Sequence, residues 1–318
     1  MNATSGDSDF RCAAASLLRN EALAGTASSV RAYLLLEHAG PWGENALRDS
    51  RMSEQLRTEL RRRAAEAGVR VLLIRRPGRR ASDKKATVFA AHAHPFRPWL
   101  ERETVSDLAE VLDLDFHALR AGHPTELTSV EESVLCVCTH GRHDACCAEQ
   151  GRPVASALAS ARPEETWEVS HIGGDRFAAN LLVLPHGLYY GRLEPQSAVA
   201  VAGSHAAGEL DLDHLRGRSG YSMPVQAAEI ALRRDLGETR EGALRLVTRH
   251  QTQADTVDDT ADDRVDETEA VFAVGGAEYA VLVRSSRGAD PQQLTCRATR
   301  DNPIPQHEVV TITRRSST

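Results

Sequence analysis

"CVCTHGRHDACC", residues 136–147, contains four of the six cysteines of the chain and two of its histidines. The residues around Cys136, "SVLCVCTH", have the apolar composition of a buried strand. The residues that follow, "AEQGRPVASALAS", place Val154, Leu158 and Ala161 at helical spacing. The stretch is therefore predicted to be the loop of a strand–loop–helix unit, which is typical of an α/β fold.

The flanking sequence extends this plan in both directions. Downstream, "TWEVSHIGG" predicts a strand with its loop, and "LLVLPHGLYYGRL" predicts a hairpin that turns at His186–Gly187. Upstream, the predicted order is strand, helix, strand, loop, strand, in "VRAYLLLEHAGPWG", "RMSEQLRTELRRRAAEAG", "VRVLLIRR" and "KATVFAAH". We expect two α/β units of similar layout, with the first two strands of the upstream unit parallel.

The remainder of the chain predicts helices and then strands. Residues 196–237 are predicted to be helical, and the last helix has a cap at Ser222, a proline in its first turn and Gly237 at its end. Beyond Gly242, "LRLVTRHQ", "EAVFAVGG", "EYAVLVRSS", "QLTCRAT" and "HEVVTITRR" predict strands, interrupted by a solvated or disordered acidic loop, "QADTVDDTADDRVDETE". The predicted domains are an N-terminal α/β unit at 1–125, a second α/β domain with a helical extension at 126–240, and a β-rich module at 241–318.

Composition narrows the class of protein. The chain has 318 residues and a formal charge of −7, which argues against a nucleic-acid binder despite the basic run "RRPGRRASDKK" at 75–85. No secretory leader and no apolar run of membrane-spanning length is recognised, so we expect a cytoplasmic protein without a membrane partner. In a reducing compartment, bunched cysteines indicate metal or redox chemistry rather than disulfides.

Four side chains are candidates for one metal centre. Cys138 ends the predicted strand and Cys147 lies near the first turn of the helix, where the helix dipole favours a thiolate. In "SHIGGDRF", His171 and Asp175 are four residues apart, and the glycines between them would let the backbone fold tightly around a bound group. Two thiolates, an imidazole and a carboxylate form a plausible zinc set.

The other cysteines and histidines have alternative interpretations. Cys136 is expected to pack in the core as a small hydrophobe. Cys146 could be filler, a reserve ligand or one half of a vicinal redox pair with Cys147, and His140 and His143 are reserve ligands or solvated loop residues. Two isolated cysteines are expected to be packed thiols, and one histidine is expected to be a turn residue: Cys12, Cys296 and His186.

Three long motifs give the chain a family resemblance. They are "VCTHGRHDACCAEQGRPVASALA", "WEVSHIGGDRFAANLLVLPHGLYYGRL" and "RGRSGYSMPVQAAEIALRR". Together they resemble the sucrase/ferredoxin-like family, whose members carry a thioredoxin-like ferredoxin domain. The resemblance extends upstream to "LAGTASSVRAYLLLEHAGPWG" and downstream to "LTCRATRDNP", which is nearly the whole chain.

The resemblance implies a [2Fe–2S] cluster with two cysteine and two histidine ligands. Cys138, Cys147 and His171 match the family pattern, whereas Asp175 stands where the pattern has its second histidine. Neutral imidazole ligands raise the potential of such a cluster, and an aspartate should lower it again. Sucrose hydrolysis would need a pair of carboxylates in a sugar cleft, which the sequence does not suggest.

Three functions follow from these residues. The first is an electron carrier of the thioredoxin-like [2Fe–2S] class that exchanges single electrons with an unidentified redox partner protein. The second is a thiol- or zinc-dependent redox enzyme, and the third is a metal-stabilised binding module. An electron carrier is favoured over an enzyme.

Overall fold

The computed structural model describes residues 10–78, 85–253 and 265–315. Ten strands form one mixed sheet, and four more form a separate antiparallel sheet. The helices are α1 (Cys12–Leu18), α2 (Glu54–Ala67), α3 (Phe116–Ala121), α4 (Ala145–Ala161), α5 (Pro195–Ala206) and α6 (Met223–Leu236). The strands are β1 (Ala32–Glu37), β2 (Val69–Arg75), β3 (Ala86–His92), β4 (Trp99–Val105), β5 (Thr128–Ser129), β6 (Val134–Cys138), β7 (Thr166–Val169), β8 (Leu181–Leu184), β9 (Leu188–Tyr190), β10 (Leu215–Arg218), β11 (Arg245–Gln253), β12 (Asp266–Val274), β13 (Ala277–Arg287) and β14 (Pro305–Arg315).

The first α/β unit contains β1 to β4 with α2 and α3. Its strands lie in the order β2-β1-β3-β4, with β1 parallel to β2 and antiparallel to β3. The connecting helix α2 begins after Ser53, whose hydroxyl accepts from the N–H of Leu56, and ends at Gly68 in a left-handed conformation. The predicted parallel pairing of the first two strands is confirmed.

The second α/β unit repeats this order with β6 to β9. The strand order is β7-β6-β8-β9, with β6 parallel to β7 and antiparallel to β8. Strands β8 and β9 form the predicted hairpin, whose turn contains Gly187 at positive φ. The predicted α/β layout with two similar units is thereby confirmed.

A short junction between β2 and β7 joins the two units. The strands pair antiparallel through Ile74 with Val169 and Arg75 with Glu168, which are the last residues of both strands. The carboxyl ends of the two central parallel pairs therefore meet. The loops after β1 and β6 consequently come together at one place.

The sheet folds on itself about this junction. Phe89 of β3 contacts Trp167 of β7 with ring centroids 5.6 Å apart, and the hydroxyls of Tyr33 and Tyr189 lie 3.4 Å apart. These strands are not neighbours in the sheet, so its two halves face each other across a shared apolar core. Helices α2 and α4 cover the outer faces of the two halves.

The C-terminal sheet forms a separate layer against α6. Its four strands pair antiparallel in chain order. Val225, Ala228 and Leu232 of α6 pack on Phe272 and Val281 of this sheet. The predicted β-rich module is confirmed, and across the described ranges no helix is both long and apolar enough to cross a membrane.

Two sequence predictions about secondary structure are wrong. Residues 196–237 are not wholly helical, because β10 pairs with β9 at the edge of the large sheet. "QLTCRAT" is a turn rather than a strand, since the N–H of Cys296 bonds to the carboxylate of Asp144 instead of to a neighbouring strand.

The charged loops fall largely outside the described residues. These include 79–84 of the basic run and 254–264 of the acidic stretch. The end of the acidic stretch, from Asp266, belongs to β12 rather than to a loop. The predicted domain boundaries stay predictions, and the β2–β7 pairing places strands of the first two domains in one sheet.

One glycine sets how closely α4 approaches β6. A Cβ on Gly151 would lie 2.0 Å from the carbonyl oxygen of Cys138. We expect Gly151→Ala to destabilise the fold by about 1–3 kcal/mol, because helix and strand must separate. Urea unfolding measures the change. Gly203→Ala in α5 is the matched control: a Cβ there meets nothing within 4 Å, so a gain of up to about 1 kcal/mol is expected. Equal stabilities of the two variants would contradict this packing.

Candidate metal centre

Two buried cysteines form the inner side of the candidate site. Cys138 is the last residue of β6, and Cys147 lies in the first turn of α4, which Asp144 caps by accepting from the N–H of Cys146. Both thiols are buried. Their sulfur atoms and one ring nitrogen of His171 all lie within 4.8 Å of one another.

His171 and Asp175 complete the group from the loop after β7. The Nδ1 of His171 lies 2.8 Å from Oδ1 of Asp175. The thiol of Cys147 donates to the same oxygen at 3.0 Å. The structure thus brings together Cys138, Cys147, His171 and Asp175.

The geometry of this group fits a bound metal. The buried Nδ1 of His171 has no aligned hydrogen-bond partner, although Asp175 is so close. Ligand atoms around one tetrahedral ion are roughly 3.3–3.8 Å apart, as follows from bond lengths of about 2.0–2.3 Å. The two thiols and the imidazole nitrogen converge within 4.8 Å and can share a metal centre, whereas the 2.8 and 3.0 Å contacts of Asp175 have the lengths of an ion pair and a hydrogen bond.

The two thiols of the site share a hydrogen bond and so influence each other's protonation. The pKa of Cys138 is lowered, mainly because its sulfur accepts from the thiol of Cys147. The pKa of Cys147 is raised well above its ordinary value, because its single S–H proton is shared between Cys138 and Asp175, because the thiol is buried, and because negative charges lie nearby. The helix dipole was expected to favour a thiolate at Cys147, but the thiolate is favoured at Cys138 instead.

The imidazole and carboxylate of the site stabilise each other as charged groups. Burial lowers the pKa of His171, but the Asp175 carboxylate outweighs burial and the pKa is raised. Burial likewise raises the pKa of Asp175, but His171 and the Cys147 thiol outweigh it and the pKa is lowered. Each of these two largely buried groups therefore favours the charged form of the other.

The reserve histidines occupy different positions. His143 stacks on His171 with ring centroids 3.7 Å apart, and its Nε2 lies 3.6 Å from Oδ2 of Asp175. His140 points away, since its Nε2 contacts the carbonyl of Gly43 at 2.6 Å and its Nδ1 accepts from the N–H of His171 at 3.2 Å. His143 is thus available as a ligand, whereas both ring nitrogens of His140 are used.

The remaining cysteines divide between the core and a second cluster. Cys136 is buried in the core, as expected, on the same sheet face as Cys138 because residues two apart on a strand share a face.

Cys146 points away from Cys147 and contacts Cys296 at 3.4 Å. The vicinal redox pair is therefore wrong, and Cys12 and Cys296 are not isolated thiols, because they meet each other and Cys146. His186 is more than a turn residue, since its Nδ1 bonds to Glu241.

The first α/β unit covers the site. The loop after β1 places the carbonyls of Gly43 and Glu44 against His140 and His143. Arg70 of β2 donates to the carbonyl of His171 at 3.1 Å. A cavity of about 520 Å³ opens between the units and reaches His143 and His171, whereas the thiols lie behind them.

Arg216 is a site residue that the sequence analysis missed. This buried side chain donates to the carbonyls of Thr26 and Gly173 and to Oδ1 of Asn180. Burial lowers its pKa to about 10, so it stays charged at neutral pH. Arg216 therefore fixes the loop that carries His171 and Asp175 and places a positive charge behind it.

The two glycines of "HIGGD" leave room for Arg216 and for Ser28. Both have positive φ, and a Cβ on Gly174 would lie 2.2 Å from Arg216, while one on Gly173 would lie 2.6 Å from Ser28. They were expected to make room for a bound group. In the structure they make room for protein side chains. The motif "RGR", which contains Arg216, was the only sign of this arrangement in the sequence.

We expect Arg216→Met to destabilise the protein by about 3 kcal/mol or more, because it leaves several buried carbonyl groups without their charged donor. Urea unfolding and the rate of metal loss to a chelator measure the effect. Exposed Arg300 is the control, and Arg300→Met should change stability by less than about 0.5 kcal/mol. Unchanged stability and metal retention in Arg216→Met would refute the role given to this side chain.

Sequence comparisons relate the chain to a known family. No curated protein and no solved structure gives a significant match. The model of the sucrase/ferredoxin-like family matches residues 23–217, which include all four residues of the candidate centre and Arg216. The match covers more than half of the chain, so the chain belongs to the sucrase/ferredoxin-like family.

Proposed function

We propose that the protein is a one-electron carrier that holds a [2Fe–2S] cluster through Cys138, Cys147, His171 and Asp175. The observation that carries this proposal is the convergence of two thiols and an imidazole from three separate segments within 4.8 Å. These are the residues that match the ligand pattern of the family. A bound cluster of this kind accepts and releases one electron at a time.

The burial of the ligands supports electron exchange through the histidine side. The thiols lie in the interior, whereas the side chain of His171 is 26% exposed and faces the cavity between the units. A redox partner protein would approach His171 and His143 rather than the cysteines. The imidazole of His171 can also gain or lose a proton, which would couple proton uptake to reduction.

Asp175 distinguishes this site from one with two histidines. Its carboxylate adds a negative charge where a neutral imidazole would add none, which should lower the potential. The guanidinium of Arg216 lies close enough that the charges of Asp175 and Cys147 act on it. This buried cation offsets part of the negative charge of the ligands.

The fold is compatible with this function. The order β7-β6-β8-β9, with β6 and β7 parallel, supports a thioredoxin-like ferredoxin domain. The formal charge of −7 favours a protein partner over nucleic acid. We place the protein in the cytoplasm, where its six free thiols would stay reduced, and expect no membrane partner.

A second candidate is a mononuclear zinc site. It is favoured by the donor set, because thiolates, imidazole and carboxylate all bind zinc, and the two thiols and the imidazole lie within 4.8 Å of one another. In that case the protein would be a zinc-dependent enzyme or a metal-stabilised binding module. Metal content separates the two candidates.

The test measures iron, sulfide and reduction potential in protein purified without oxygen. It compares the native chain with Asp175→His and Asp175→Ala. We expect iron and sulfide in equal amounts in the native protein and in Asp175→His. Loss of the carboxylate charge should raise the potential of Asp175→His by on the order of 100 mV. Asp175→Ala should lose most of its iron.

Asp211→Ala is the matched control. Asp211 pairs with His214 at 3.0 Å, as Asp175 does with His171, but the pair does not contact the cysteines. Its iron content and potential should equal those of the native protein. Absence of iron from the native protein, together with zinc that Cys138→Ser removes, would replace the electron carrier with the zinc candidate.

A further inference from the structure

Three cysteines form a second cluster beside the candidate centre, at the first turn of α4. Cys12 begins α1, Cys146 lies in the first turn of α4, and Cys296 lies in the irregular segment 288–304 between β13 and β14. The sulfur atoms of Cys146 and Cys296 are 3.4 Å apart, and those of Cys296 and Cys12 are 3.5 Å apart. Thiols from three distant parts of the chain therefore touch one another.

Asp144 organises this cluster. Its carboxylate accepts from the N–H of Cys146 at 2.9 Å and from the N–H of Cys296 at 2.7 Å. The same two oxygens lie 3.6 and 3.5 Å from the sulfur of Cys12. Asp144, Cys12, Cys146 and Cys296 each offer one ligand atom, and these four atoms all lie within 4.8 Å of one another.

Ordinary packing does not account for this arrangement. A buried cysteine usually acts as a small hydrophobe, but here three surround a fully buried carboxylate. The bonds to that carboxylate come from backbone N–H groups and the Cys12 thiol, and none of the ion pairs within the described ranges includes Asp144. Three sulfur atoms and a carboxylate oxygen that converge on one point form a complete set of metal ligands.

We propose that Cys12, Cys146, Cys296 and Asp144 bind a zinc ion at a site separate from the candidate centre. Soft thiolates select zinc, and ligand atoms around a tetrahedral zinc ion are roughly 3.5–3.8 Å apart. Three sulfur–zinc bonds form as three S–H protons leave to solvent, and the carboxylate gives the fourth bond. Four anionic ligands leave no open position, so the site is structural.

This zinc ion joins the two ends of the chain to the candidate centre. It would hold α1 and segment 288–304 against the first turn of α4, directly beside the ligand Cys147. In the same segment, Arg297 donates to Glu44 at 2.6 Å and to the carbonyl of Arg142 at 2.9 Å, at the rim of the cavity. Cys12 and Cys296 both lie outside the range that matches the family, 23–217.

X-ray absorption at the zinc edge tests the proposal on the full, unaltered chain purified without oxygen. We expect about one zinc ion per chain, with three sulfur neighbours at about 2.3 Å and one oxygen neighbour. Zinc in the candidate centre would instead show two sulfurs and two lighter atoms, and Cys138→Ser would remove it while the three-sulfur site remained. Failure of the proposed electron-carrier function is thereby distinguished from failure of this site.

Variants provide the second measurement. Cys296→Ala should lower the content of this zinc at least tenfold without changing metal in the candidate centre, and Cys12→Ala replaces it if Cys296→Ala does not fold. Cys136→Ala is the matched control, because it removes a buried thiol outside both clusters, and it should keep its zinc. Unchanged zinc in Cys296→Ala, no zinc in the unaltered chain, or a Cys146–Cys296 disulfide in protein purified without oxygen would overturn the proposal.

Discussion

The junction between β2 and β7 is the interaction on which the candidate centre depends. The ion pair between Arg75 and Glu168, 2.6 Å long, spans the two strands. Glu168 also accepts from the hydroxyl of Thr139, the residue that follows Cys138, and the Arg75 guanidinium lies 4.2 Å from the ring centre of Trp42. One partly buried ion pair thus connects the end of β6, the end of β7 and the loop that covers the site.

Among the described residues, the two similar units contribute different parts of one candidate centre. The loop after β6 contains the thiols, whereas the corresponding loop after β1 supplies Gly43 and Glu44 as a cover. Because the strands meet at their carboxyl ends, the covering loop reaches the ligands of the other unit. The site belongs to the pair of units, and neither unit would enclose it alone.

The local features of the fold and the site could be predicted from the sequence. Apolar runs and helical spacing give β1, α2, β6 and α4, and the four-residue spacing of His171 and Asp175 places them together. Strand β10 could not be predicted from apolar runs, because two of its four residues are arginines, whose side chains are buried by partners elsewhere in the fold.

Contacts between distant segments account for what the sequence did not reveal. Arg216 meets Thr26 and Gly173, and Asp144 meets Cys296, through the folding of the sheet and the return of the C-terminal segment. Such contacts cannot be inferred from the spacing of residues within a motif. The divergence of Cys146 from Cys147 follows from the same cause, since each thiol turns toward partners from a different part of the chain.

The contact between Cys12 and Cys296 also constrains the order of folding. The two residues are separated by 284 positions, so bringing them together first from an unfolded chain would carry a large loop-closure entropy. The two α/β units consist mainly of nearer contacts and can form while synthesis continues. The cysteine cluster, by contrast, is complete only in a chain translated at least as far as Cys296. The cluster therefore assembles only after both α/β units and most of the C-terminal module have been synthesised.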